Sequence, residues 1–409
     1  MAQAPAPAVQ ALLASPEFAA AKAYIQSDQD RFVRELLTLT EIPSPPFKEQ
    51  ARAAAFVSML RESGMADVET DPEGNVMALR KGAAGKGLLV VNAHLDTVFP
   101  EGTNVKVRRQ GTRLSAPGVG DDTRGLALLL SLIRTLDAAK IRMASDVLFV
   151  GNVGEEGEGD LRGVKYLLQQ GKYKGRVTQM VAIDGGDVNG VTTGGVGSKR
   201  YRVTFTGPGG HSYGAFGLVN PAYALGDAMT RFARLTVPSA PKTTFNVGVV
   251  RGGTSVNSIP SEVSMDVDMR SESCAELKKL DAAFLAVVHD AVDAENRARS
   301  TKEGPIKADP KVIGERPCGE TPQSSPIVKA ADAAIRAFGL TPSFNISSTD
   351  ANVAMSLGIP AITIGRGGPG GRAHSPDEWT DMDPSANVRN EQVVLAVMLS
   401  AAGRPQGVQ

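Results

Sequence analysis

The chain has 409 residues, with 44 Lys and Arg against 44 Asp and Glu. That balance leaves no broad basic surface for nucleic acid or an anionic membrane, and no apolar run approaches the roughly 18 residues of a membrane span. At roughly 150 residues per domain, the length suggests two or three domains.

The opening stretch Met1–Val9 lacks the charged and apolar regions of a signal peptide. It resembles the start of a processed exported chain, so the expected location is cytoplasmic or exported to the periplasm. Ser15 to Gly64 reads as helical, interrupted at the Ile42–Pro46 stretch. Strands and helices then alternate. Gly87–Ala93, Asp146–Val150, Gln179–Ile183 and, late in the chain, Ala361–Ile364 are short apolar runs of the kind buried on both faces of a parallel sheet. Thr123–Ala139 carries leucines and Ile133 at helical spacing, which predicts a core-facing helix, and Leu161–Gln170 a second. From about residue 194 the rhythm changes. Tyr201–Thr206, Thr243–Val250 and the strictly alternating Glu262–Met269 read as half-exposed strands, with helices at Asn220–Leu235 and Ala275–Ala298. The expected fold class is therefore α/β. A catalytic domain with a mostly parallel mixed sheet flanked by helices (1–193 and 310–409) is interrupted by an inserted α+β lid domain with an antiparallel sheet (194–309).

Chemistry collects where the buried strands end. His94 and Asp96 follow the first, Glu155 and Glu156 the second, Asp184 the third, and His374 the fourth after a glycine loop; Asp121 and Asp122 precede the helix at Thr123. Open α/β sheets bind ligands beyond the carboxyl ends of their strands. A single acid in such a place is ordinarily a cap or a solvated turn. Two imidazoles with several carboxylates on one rim are a donor set for divalent cations, and without cations their mutual repulsion would force some acids to protonate. In the extended His94–Asp96 segment both side chains point the same way. Asp96 can then accept from the His94 ring nitrogen that faces away from a metal. Adjacent Glu155 and Glu156 diverge, so one can bind metal while the other acts as base. His289, inside a helix, carries no such signal. Cys274 and Cys318 are too few for a disulfide scaffold or a thiolate zinc site, and Cys274 reads as a surface or half-buried thiol. The run Gly365–Gly370 matches a dinucleotide-loop pattern, but Pro369 and the lack of a following helix argue against one. Trp379 reads as packing beneath the rim.

Seven stretches together resemble the M20 family of metallopeptidases and amidohydrolases, with its peptidase T-like, carboxypeptidase G2-like and amino-acid deacylase members. They are NAHLDTV at Asn92–Val98, GVGDDTRG at Gly118–Gly125, GEEG at Gly154–Gly157, AIDGG at Ala182–Gly186, GPGGHS at Gly207–Ser212, NSIP at Asn257–Pro260 and HSPDE at His374–Glu378. The resemblance implies two divalent cations, zinc first, with cobalt or manganese as alternatives. Asp121 would bridge them, His94 and Asp184 would complete one position, and Glu156 and His374 the other. Glu155 would be general base and acid, and Asp96 would orient His94. His211 would stabilise the oxyanion, in dimeric members from the neighbouring subunit, so a homodimer through the lid domain is implied. Asn257, Arg270 and Gly367 would contact substrate. Asp184 stands where many relatives carry Glu, with Asp187 its nearest competitor. The implied substrate is a short peptide cleaved by an exopeptidase, or an N-acyl amino acid cleaved by a deacylase. The remaining alternative is a metal-binding protein without turnover.

Overall fold

The computed structural model describes residues 7–85 and 87–404; residues 1–6, on which part of the N-terminal reading rests, lie outside that range. The chain forms two compact units, one made of the stretches up to Gly195 and from Glu320 onward, the other of Val196–Gly319.

In the first unit, Asp146–Asn152, Leu88–His94, Gln179–Ile183 and Ala361–Ile364 lie side by side in that order, all parallel. Val76–Arg80 joins one flank and Gly190–Gly195 the other, both antiparallel, so the sheet is mixed but mostly parallel. Every residue of Leu88–His94 is buried because the two faces alternate between two cores. Leu89, Val91 and Ala93 face a core shared with the helices Pro16–Thr40, Thr123–Ala138 and Pro384–Ala402. Leu88 and Val90 face another, shared with Arg162–Gln169 and Ala351–Ser356. This is the reason the strand reads as continuous apolar sequence rather than as an alternation. The helix Thr123–Ala138 is buried well beyond one stripe, from Thr123 through Leu136. Its buried Arg134 is satisfied by Glu35 at 2.9 Å and by Asp28.

The second unit holds a four-stranded antiparallel sheet in the order Thr243–Gly252, Glu262–Ser271, Gly197–Thr206, Lys307–Arg316. Val203, Phe205, Met265, Val267 and Met269 pack against Phe232 and Phe284 of the helices Pro221–Phe232 and Cys274–Ala298. The other face is wet and laced by cross-strand pairs, Arg202 with Asp266 at 2.8 Å and Arg200 with Asp268 at 2.9 Å.

Two expectations need correction. The second unit ends at Gly319, not at 309, and begins at Val196 rather than at 194. The boundary expected at 309/310 falls instead within Lys307–Arg316, a strand at the sheet edge, where proline is tolerated. Cys274 is not a free thiol. It opens the long helix and is joined to Cys318 by a disulfide, with Cα atoms 5.6 Å apart; a separation of 44 residues gives no local signal of it. Among the described residues, no helix is long and apolar enough to cross a membrane. Replacing both cysteines by alanine should lower stability by about 2–4 kcal/mol, read by urea unfolding. Quantitative reaction of unreduced native protein with a thiol reagent would contradict the bridge.

Candidate functional site

His94 ends its strand and is held from three sides. Its backbone N–H donates to Asp122 Oδ2 at 3.1 Å, its Nδ1 lies 3.0 Å from the Asp96 carbonyl, and its Nε2 lies 3.1 Å from Asp121 Oδ1. A proton on Nδ1, donated to that carbonyl, leaves the Nε2 lone pair facing the acids. The Asp96 carboxylate faces Nδ1 too, at 3.6 Å, and also accepts from the backbone N–H groups of Glu155 at 3.0 Å and Glu156 at 2.8 Å. Asp96 thus ties the end of one strand to the loop after the next. Burial opposes its charge, but His94 and these two N–H groups outweigh that and lower its pKa.

The side chains gather into three overlapping sets, each with ligand atoms within 4.8 Å of one another: His94, Asp121 and Asp184; Asp121, Glu156 and His374; and His94, Glu155 and Glu156. Asp121 belongs to two of them and turns one oxygen to each. Its Oδ1 faces His94, and its Oδ2 lies 3.4 Å from His374 Nε2, which is also 2.9 Å from Glu156 Oε1. The exposed Asp187 belongs to none of the three sets. Gly125 supplies the room that the carboxylate of Asp122 occupies, and the Asp121–Asp122 peptide is cis.

Several residues that shape the site had no voice in the sequence reading. Glu378 accepts from the N–H groups of Asp121 at 2.7 Å, Gly120 at 2.8 Å and Gly118 at 2.9 Å, and so fixes the loop that presents Asp121. Asp350 accepts from the buried amides of Asn92 at 2.8 Å and Asn152 at 2.7 Å. Arg366 places Nη1 3.0 Å from Asp184 Oδ1 and 3.4 Å from Asp121 Oδ1. The HSPDE stretch contains Glu378, and the glycine run contains Arg366, but neither pattern announces these partners.

The electrostatics describe a cluster short of positive charge. Burial, reinforced by Asp184 and Asp121, raises Asp122 well above the carboxylate range. Burial, with Asp96 and Asp184 nearby, pushes Asp350 up to about 7. Hydrogen bonds to Asp121 and Glu156 push His374 up to about 10. Burial opposes charge on His94, yet Asp121 and Asp96 raise it well above its ordinary value. Burial opposes charge on Asp121 too, but Arg366, His374 and His94 outweigh it and hold its carboxyl well below the ordinary range. An ionised Asp121 between two imidazoles, with further carboxylates within reach, is a donor set of the kind divalent cations take, so the residues present fit two such ions.

In the second unit His211 lies on a two-residue strand paired with Ser258–Ile259. Its Nδ1 accepts from the N–H groups of Tyr213 and Gly214, both at 3.2 Å, so a neutral ring carries its proton on Nε2. Asn257 is joined to the same loop through its carbonyl, which accepts from Ser212 N–H at 2.8 Å. Arg270 lies on the larger sheet, engaged with Asp268 at 2.8 Å. In the first unit Gly367 has φ of +81°, and a Cβ there would meet Asn390 at 2.5 Å. Trp379 packs beneath the Arg113 guanidinium, 4.0 Å from its ring centre.

An α/β layer with imidazoles and carboxylates gathered at the carboxyl ends of parallel strands defines a metal-dependent hydrolase. The chain belongs to peptidase family M20/M25/M40, whose model matches residues 90–399. It is 28% identical over 347 residues to a putative succinyl-diaminopimelate desuccinylase of Mycobacterium tuberculosis, covering 83% of this chain and 90% of that one. It is 27% identical over 245 residues to carboxypeptidase G2 of a Pseudomonas species, covering 59% of this chain and 55% of that protein, so the match spans about half of that relative. The fold is shared with aminopeptidase PepT of Bacillus cereus, at a TM-score of 0.73 and 21% identity, covering 92% of this chain and 99% of that one. It is shared too with the Bacillus subtilis YxeP protein, described as a dinuclear metal binding peptidase of the M20 family, at a TM-score of 0.68 and 16% identity, covering 92% and 99%.

Glu378→Ala strands three N–H groups behind Asp121 and should cost about 2–5 kcal/mol, with loss of cation retention after gel filtration. An unchanged melting temperature and full retention would contradict the role assigned to Glu378.

Proposed function

We propose that the chain is a di-metal exopeptidase that hydrolyses the amide bond of short peptides, with zinc as the first candidate cation and cobalt or manganese as alternatives. The observation that carries the reading is Asp121, whose two oxygens address two different donor sets, His94 with Asp184 and Glu156 with His374. Bound there, two divalent cations would lower the pKa of a shared water toward ~7 and polarise the scissile carbonyl. Glu155, nearly buried beside Glu156, is the general base. Its carboxylate takes the proton of the attacking water, whose oxygen bonds to the amide carbon. It then returns that proton to the departing amine as the carbon–nitrogen bond breaks. Asp96 positions both the His94 loop and the Glu155–Glu156 backbone. His211 is equipped as an oxyanion donor, because its Nδ1 is occupied by two backbone N–H groups and Nε2–H points its proton elsewhere. Asn257, Arg270 and Gly367 are the proposed substrate contacts. Arg270 would suit a carboxylate.

The second unit is proposed to act as lid and dimerisation surface. Support comes from Tyr213 and Phe216, 88% and 91% exposed around His211, which give that surface an apolar component. A second reading, deacylation of N-acyl amino acids by the same chemistry, is favoured by the likeness to a putative desuccinylase over most of both chains.

Glu155→Gln should cut turnover by about 10²–10⁴-fold while the bound-ion count stays unchanged. Full activity in that variant would overturn the base assignment, and lost ions would move Glu155 among the ligands. Chelated protein should be inactive toward a panel of dipeptides, tripeptides and N-acyl amino acids and regain activity with added zinc, cobalt or manganese. Undiminished activity after chelation would rule the reading out.

A further inference from the structure

The two donor sets are not alike. In the set of His94, Asp121 and Asp184, the carboxylate oxygens are already addressed by a fixed cation. Arg366 Nη1 lies 3.0 Å from Asp184 Oδ1 and 3.4 Å from Asp121 Oδ1, the same Asp121 oxygen that faces His94. It also lies 3.6 Å from Asp122 Oδ1. In the other set, Glu156 pairs with His374, and among the described residues no lysine or arginine pairs with Glu156. Arginine stays charged at any working pH, so the difference is permanent rather than titrating.

Arg366 is built into place and is not a surface side chain that happened to fold inward. Its side chain is 10% exposed. On one side, Gly365 packs so closely on the carbonyls of Gly186 and Asp187 that no Cβ fits. On the other, Gly367 N–H donates to the Gly186 carbonyl at 3.1 Å. Across the slot, Gly120 has no side chain; a Cβ there would come within 2.9 Å of Glu378 Oε1 and 3.6 Å of Arg366 Nη2. The backbone on both sides of Arg366 and the wall facing it are thus set for a guanidinium at this point.

We propose that Arg366 is an internal counter-cation that makes the two metal positions unequal, weakening the one formed by His94, Asp121 and Asp184, so that the ions load in order, first beside Glu156 and His374 and then beside Asp184. A unit positive charge a few ångströms from an incoming dication opposes it, and partial burial limits screening. The carboxylates keep lone pairs to spare, so Arg366 can hold its place while an ion binds. Arg366 is a positioning residue here: it acts on the ions through Asp184 and Asp121 and takes no part in bond breaking. The inference rests on the di-metal reading given above.

The test is a calorimetric titration of metal-stripped, full-length protein with Zn²⁺. Wild type should show two binding events separated by about tenfold or more in affinity. Asp184→Asn should remove the weaker event and Glu156→Gln the tighter. Arg366→Met, which keeps bulk and removes charge, should tighten the weaker event by about 10–100-fold and move the tighter one little. Arg366→Lys should retain the gap. Arg366→Gln serves as the second neutral variant if the methionine protein does not give the wild-type circular dichroism spectrum. Two events in wild type with an unchanged or widened gap in both neutral variants would overturn the proposal and leave the di-metal reading intact. Absence of any binding to wild type would overturn both.

Discussion

The carboxylates of Asp121, Asp122, Glu155, Glu156 and Asp184 repel one another in a setting largely shielded from water, and much of the first unit holds them together against that repulsion. Parallel strands buried on both faces bring their carboxyl ends to one rim. Glu378 gathers the N–H groups of the Gly118–Asp121 loop, and Asp96 those of Glu155 and Glu156. Each clamp is itself an acid, so the supports add to the charge they help confine. Positive charge comes from the imidazoles, from Arg366, from the buried Arg52 near Asp96 and Asp122, and from ions that the donor set suits.

The same constraint explains what could be read from the sequence. A strand buried on both faces must be a short apolar run, so Leu88–His94, Asp146–Asn152, Gln179–Ile183 and Ala361–Ile364 were legible, and the residues just after them were legible as a rim. That placement offered a donor set of imidazoles and acids; the grouping of His94, Asp121, Asp184, Glu156 and His374 into two positions came from the motif resemblance alone. What the sequence hid depends on contacts far apart in the chain. Glu378 and Asp121 are separated by 257 residues, and nothing in HSPDE says which N–H groups its glutamate will meet. Arg366 sits in a glycine-rich run that reads as loop, and its partners come from two other segments.

The misreadings have physical causes of the same kind. Proline is tolerated in strands at a sheet edge, so Pro310 lies inside Lys307–Arg316 and the second unit runs on to Gly319. The Cys274–Cys318 bridge joins the start of a helix to the residues after an edge strand, a pairing that spacing alone does not suggest. For Asp96, alternation along an extended chain put the carboxylate on the His94 side, 3.6 Å from Nδ1, but gave no sign that the same carboxylate clamps the neighbouring loop.

The central claim is that one carboxylate, Asp121, serves two cations. An anomalous-difference map from crystals of the zinc-loaded protein, collected at the zinc absorption edge, tests it most directly. Two peaks roughly 3.5–4 Å apart should flank Asp121, one beside His94 and Asp184 and the other beside Glu156 and His374. A single peak bound by only one of Asp121's oxygens at full loading, or peaks elsewhere in the molecule, would contradict the account.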